Sequence, residues 1–163
     1  MQDLLICKEE LIKLTAAYNK KLELSREVGP DHYDPGMMEN LDQYKGIFDE
    51  QAKQITIRCE AKGLRYDNRT SNLESVSVGD AVQIVRDCGN AFNSNNFSIN
   101  SESGASLGYL PVELCNALGP LYDIGCADII AASISYIEKI GQRSRYAKQG
   151  VLFVEITLRL KGV

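Results

Sequence analysis

Residues 78–111 read VGDAVQIVRDCGNAFNSNNFSINSESGASLGYLP. Val82 and Ile84 alternate with Gln83 and Val85, so 81–86 reads as a strand with at least one apolar face. A long asparagine-rich turn follows. Phe97 and Ile99 then alternate with Ser98 and Asn100, a turn at 101–104 reverses the chain, and Leu107 and Tyr109 alternate with Ser106 and Gly108. Pro111 presets the backbone for a first helical turn, and Val112, Cys115 and Leu118 recur at threes. The stretch therefore predicts strand, polar turn, strand, turn, strand and a short helix, the three strands antiparallel.

The same period of two appears on either side. Ile55, Ile57 and Cys59 oppose Thr56, Arg58 and Glu60, so 55–66 is the expected first strand, ended by Gly63-Leu64-Arg65-Tyr66. Beyond the helix, Ile124-Gly125 precedes a long strand over 128–140 with Ile130, Ala132, Ile134, Tyr136 and Glu138 along one face. A loop at 141–150 leads to a closing strand at 151–160, whose core face is Leu152, Val154, Ile156, Leu158 and Leu160. The reading is mainly β with some α: a six-stranded barrel related to the SH3 and OB types, crossed by one short helix.

Ahead of the barrel, Leu4, Cys7, Leu11, Leu14, Tyr18 and Leu22 recur at threes and fours, which predicts a helix over 2–26. Gly29-Pro30 and Asp34-Pro35-Gly36 force a loop. A second helix is expected over 37–54, with Met38, Leu41, Tyr44 and Phe48 on its inner side. The expected organisation is an N-terminal helical hairpin, 1–54, followed by the barrel, 55–163. The hairpin's apolar seam would pack on the barrel or join two copies in a homo-oligomer.

At 163 residues, 44% hydrophobic and 25% charged, the chain suits one domain with a sizeable core and an appendage. Its 5 cysteines are odd in number and show no C-x-x-C spacing, against both a disulfide framework and a zinc site and in keeping with a reducing cytoplasm. Residues 1–17 carry Asp3, Glu9 and Glu10 without a long apolar run, so neither a signal peptide nor a membrane contact is expected. The formal net charge of −4 belongs to 1–54, where 7 Lys and Arg face 11 Asp and Glu; 55–163 carries 11 of each. A neutral domain is ill suited to tracking many phosphates, but it can hold a small pocket for one strand end.

Gly79-Asp80, Val85-Arg86-Asp87, the run from Asn90 through Ala91, Phe92, Asn93 and Asn95 to Phe97, and Gly108-Tyr109-Leu110-Pro111-Val112-Glu113 together resemble the HIRAN domain family, whose pattern is close to G-D, V-R-D/E, N-P-Y-D-x-N-A-I and G-Y-L-P-x-E. Order and spacing agree over about 55–162. Such domains occur alone in bacterial proteins and fused to helicase-like DNA-remodelling ATPases, where they grip the 3′ end of single-stranded DNA. The resemblance implies a DNA-binding module of repair or replication-fork processing, with single-stranded DNA as ligand and a helicase or ATPase as a possible partner. It places Arg65 and Tyr66 on the DNA, with Asn90, Phe92, Asn93 and Tyr109 lining the same pocket. A guanidinium can fork onto a phosphate, an aromatic face can stack on a base, and asparagines can bond a sugar hydroxyl or base edge. The family's proline, tyrosine and aspartate stand here as Ala91, Phe92 and Asn93, so a neutral amide replaces the carboxylate.

Nothing in the sequence supplies a catalytic centre. Neither G-x-x-x-x-G-K-[ST] nor a dinucleotide-type G-x-G-x-x-G after a strand occurs. The single histidine, His32, falls in the loop between the expected helices, leaving no cysteine or serine in the barrel with a histidine base. No cofactor, metal or enzymatic activity is expected. The alternative to DNA-end binding is a protein-interaction module of a DNA-processing or mobile-element-associated system, with the acidic hairpin or the barrel groove as the contact surface. A purely architectural role for the asparagine turn is the third reading.

Overall fold

The computed structural model describes residues 45–49, 54–125 and 127–160, and these form two antiparallel sheets flanked by two helices. In the first sheet β1 (Lys45–Asp49), β2 (Gln54–Glu60), β7 (Val151–Leu160) and β6 (Ala127–Glu138) lie in that order. In the second, β3 (Val82–Asp87), β4 (Asn96–Ser101) and β5 (Ser106–Tyr109) follow chain order. One turn of helix, α1 (Arg69–Asn72), continues as a 3-10 turn at Leu73–Ser75, and α2 (Val112–Asp123) follows β5.

Period-two alternation sets the core of the first sheet. Ile55, Ile57 and Cys59 of β2 sit opposite Leu158, Ile156 and Val154 of β7, and all six are buried. Each of the aliphatic side chains among them contributes about 1.5–3 kcal/mol through removal from water. From the other side, Phe97 and Ile99 of β4, Leu107 of β5, and Leu114, Cys115, Leu118 and Leu121 of α2 complete the core. Phe97 meets Tyr122 edge to face, with ring centroids 5.4 Å apart.

Several expectations need correcting. No closed six-stranded barrel is shown among the described residues: the strands lie in two sheets, whose edges meet at two single bridges. At one seam Lys62 pairs with Tyr109, and at the other Ala81 pairs with Ser133. Beyond the first seam the chain turns at Gly63 (φ 79°), just after Lys62, while at the second the contact with β6 continues through Gly79 (φ 92°), whose amide donates to the Ile134 carbonyl at 2.8 Å. The first strand accordingly ends at Glu60 rather than Tyr66. Residues 45–49, placed by sequence in the second hairpin helix, are strand β1 paired with β2, Phe48 opposite Ile55. Ile47-Phe48 favours extended structure, and the neighbouring edge of β2 supplies the hydrogen bonds. The rest of the expected hairpin lies outside the described residues.

On β6 the expected single apolar face breaks up. Register shifts at Ile129/Ala131 and Ile134/Tyr136 act as bulges, each turning the following residues over. The inward side chains are therefore Ala127 and Ile129, then Ala132 and Ile134, then Ile137, while Ile130 and Tyr136 face solvent. The helix is longer than its threes suggested and rotated, so that Val112 is 53% exposed and Leu114, Leu118 and Leu121 carry the buried stripe.

Cys59 and Cys115 are buried, and desolvation pushes both thiols up to about 12; Cys88 is exposed on the turn. The thiolate is the nucleophile, so Cys88 is expected to alkylate readily at pH 8 while Cys59 and Cys115 stay unmodified until denaturant is added. Mass mapping of iodoacetamide adducts on the native chain checks this, and early labelling of Cys59 or Cys115 would contradict the packing of the core.

Candidate nucleic-acid interface

Between β3 and β4 the chain folds on its own asparagines. Asn90 Oδ1 accepts from the Phe92 amide at 2.9 Å and the Asn93 amide at 3.1 Å, closing an Asx-type turn. Asn93 Oδ1 accepts from the Asn95 amide at 3.0 Å, and Asn93 Nδ2 donates to Asn116 Oδ1 of α2 at 3.1 Å. Asp87 Oδ2 accepts from Asn96 Nδ2 at 3.1 Å and Asn90 Nδ2 at 3.4 Å. Arg86 fixes the base of the turn. Its Nε and Nη2 fork onto both carboxylate oxygens of Asp123, each at 2.9 Å, while Nη1 donates to the carbonyls of Ser94 and Asn96.

The turn forms one wall of an open cleft of about 1080 Å³. Asp87, Gly89, Asn90, Ala91, Phe92, Asn93 and Asn96 make this wall; Lys62, Tyr66, Asp67 and Arg69 make the opposite one; Tyr109, Leu110, Val112 and Glu113 lie at the strand-to-helix joint between them. Phe92 at the tip of the turn is 98% exposed and Tyr66 across the cleft is 61% exposed. Large aromatics held out in water without packing are unusual, and both can accept a flat partner. Two cationic side chains, Lys62 and Arg69, face three carboxylates, Asp67, Asp87 and Glu113.

The joint needs Gly108. Its φ is 144°, and a Cβ there would stand 2.7 Å from the carbonyl oxygen of Lys62, so only glycine lets β5 approach the chain end that carries the Lys62 seam. That approach sets Tyr109 at the cleft.

Of the residues singled out by sequence, Tyr66, Asn90, Phe92, Asn93 and Tyr109 all line the one cleft. Arg65 does not line it; its guanidinium lies 5.8 Å from the centroid of the Tyr66 ring. The sequence reading missed Lys62, Asp87, Glu113 and above all Arg69. Arg69 is 4% exposed yet lines the cleft, with its guanidinium 4.2 Å from the centroid of the Tyr109 ring. No motif marks it, since it falls past the strand and reaches the cleft only because Asp67 and Asn68 both take left-handed φ and fold α1 back. Among the described residues no group of three or more His, Cys, Asp and Glu side chains is placed to hold a metal ion, and no helix is long and apolar enough to cross a membrane.

Residues 55–150 match the family model for the HIRAN domain. The chain belongs to the HIRAN domain family. No curated protein matches it. Two solved structures are similar: the HIRAN domain of human HLTF, at 21% identity and TM-score 0.49 over 65% of this chain and 77% of that one, and a protein from Lactobacillus plantarum, at 20% identity and TM-score 0.49 over 64% and 97%. Membership in the HIRAN family supports a DNA-binding module. The match takes in the asparagine turn, the Gly108-Tyr109 joint and both walls of the cleft.

Proposed function

We propose that this HIRAN domain is a non-catalytic module that takes the 3′ end of single-stranded DNA into the cleft between the asparagine turn and the Lys62–Arg69 wall, in repair or replication-fork processing. The observation that carries the proposal is the pair of exposed aromatics, Phe92 and Tyr66, on opposite sides of a cleft whose one wall is rich in asparagine. A terminal base stacks against these rings, and the side chains of Asn90 and Asn93 meet the sugar. Three carboxylates against two cations make the site unsuited to a run of phosphodiesters, whereas a terminal hydroxyl, an uncharged donor, is welcome beside them.

Anisotropy titrations with labelled single strands ending in a 3′-hydroxyl or a 3′-phosphate test this. The expected result is binding of the hydroxyl end about tenfold tighter than the phosphate end, with a shallow dependence on salt because few counterions are released. Equal affinity for both ends, or for an internal strand with both ends blocked, would leave strand binding without end recognition. The acidic lining favours one second reading, a protein-interaction site for a cationic segment of a helicase or ATPase partner. Absence of any strand binding at micromolar concentration would turn the assignment to it.

A further inference from the structure

Arg69 is engaged without being saturated. Nε donates to Ser106 Oγ at 2.9 Å, Nη1 to the Gly63 carbonyl at 3.0 Å and Nη2 to Asp67 Oδ2 at 3.2 Å. These bonds use three of the five N–H donors that a guanidinium carries. One face of the group is covered by Tyr109. The space is built for it: a Cβ on Gly63 would lie 2.9 Å from Nη1 and 3.3 Å from the Tyr109 ring, so a side chain at that position would collide with the guanidinium. Its only ion-pair partner among the described residues, Asp67, has a side chain 73% exposed. An exposed carboxylate holds such a pair weakly, and the charge on a nearly buried guanidinium at the wall of an open cleft is thus neutralised by a group that can swing away.

We propose that Arg69 is a phosphate anchor of the cleft and that Asp67 occupies its outer edge until a phosphate displaces it. The proposal rests on the nucleotide-binding reading above and adds to it the residue that holds the phosphate 5′ to the bound terminal nucleoside. The displaced carboxylate moves into water, and two phosphate oxygens take the Nη2 donor it leaves and the spare N–H groups beside it, the planar fork matching the spacing of the oxygens. Tyr109, stacked on the same guanidinium, is held in the position from which it lines the cleft. Arg69 thereby couples the phosphate to the ring.

The test uses the full chain labelled with nitrogen-15, with the Arg69 side-chain Nε–H resonance followed during titration with thymidine, thymidine 5′-monophosphate or inorganic phosphate. The monophosphate is expected to shift the Arg69 signal and thymidine to leave it in place. Asp67→Asn should tighten monophosphate binding about threefold to fivefold, the worth of a weak exposed ion pair. Arg69→Lys, which keeps the charge and loses the fork, should weaken it about tenfold; a merely structural arginine would give no gain in Asp67→Asn. A response to inorganic phosphate as large as that to the monophosphate would also support the anchor, as a general phosphate site rather than one needing the nucleoside. Asp67→Asn binding no tighter than the parent would overturn the anchor. So would a still Arg69 signal beside moving Asn93 and Asn95 amides, an outcome that would leave nucleotide binding in the cleft standing. If neither set of signals moves and single strands also fail to bind, anchor and DNA-end reading fall together.

Discussion

Arg86→Ala should lower the stability of the domain by about 2–3 kcal/mol and weaken single-strand binding more than tenfold. The side chain is 12% exposed and makes four hydrogen bonds: two to Asp123 at the end of α2 and two to the Ser94 and Asn96 carbonyls at the end of the turn. Its guanidinium also lies 5.4 Å from the centroid of the buried Phe97 ring. Removing it takes a donor from two part-buried carbonyls and leaves Asp123 without this partner. Asp123 is half exposed and water can take it up, which keeps the loss below that of a fully buried ion pair. The effect on binding follows from geometry: the turn that presents Asn90, Phe92 and Asn93 is tied to the helix through this one residue and through Asn116. Arg86→Lys cannot fork onto Asp123 and reach both carbonyls at once, so it should recover only part of the melting temperature. Thermal melts and titrations on the two variants check this, and parent-like binding by Arg86→Ala would show that the turn keeps its shape without the anchor.

Alternation made β2 and β7 readable, because both strands bury one face without a break: Ile55 to Cys59 and Leu152 to Leu158 face the core as the pattern demands, while the Leu160 side chain lies outside the description. β6 failed the same reading for a local reason. A bulge adds one residue without any sequence signature here, and two of them scrambled the parity from Ile130 to Tyr136. The hairpin expectation over 37–54 met the usual ambiguity of a short apolar run, in which Ile47-Phe48 suits a strand or a helix face and the partner edge of β2 decides.

The lining of the cleft was legible wherever a motif marked it. Five of six named residues line one cleft because the turn between β3 and β4, which carries Asn90, Phe92 and Asn93, is brought beside Tyr109 at the end of β5 by antiparallel pairing. Roles were less legible than places. Sequence offers Asn93 as an acceptor for a ligand hydroxyl, yet its amide already bonds Asn95 and Asn116, leaving one lone pair of its oxygen and one N–H for anything in the cleft. Restoring the family's carboxylate with Asn93→Asp would set two oxygens against each other at Asn116, and turning the Asn116 amide to relieve this would break its bond from Asn95 Nδ2 at 3.3 Å. Arg69 was invisible because its place on the cleft comes from two left-handed residues before it, which no composition or period announces.

Phe92→Ala should leave the melting temperature unchanged and weaken binding of a 3′-terminated single strand by about tenfold to a hundredfold, the worth of one lost base stack. The ring is 98% exposed, so its removal opens no cavity and breaks no packing, and the backbone of the turn is held by Asn90 rather than by the ring. Substituting leucine separates two explanations. A base needs a flat π face, so Phe92→Leu should bind DNA nearly as poorly as alanine, whereas an apolar pocket on a protein partner would accept leucine with little loss. Phe92→Tyr brings in the family's phenol on the same ring and should bind at least as well as the parent. Tyr66→Ala supplies the second leg of a cycle: if Phe92 and Tyr66 grip one base between them, the double variant loses less than the product of the single losses, because the first truncation already frees the base from the second ring. Fully independent losses would place the two rings on different nucleotides, and parent-like binding by Phe92→Ala would remove the exposed ring from the interface altogether.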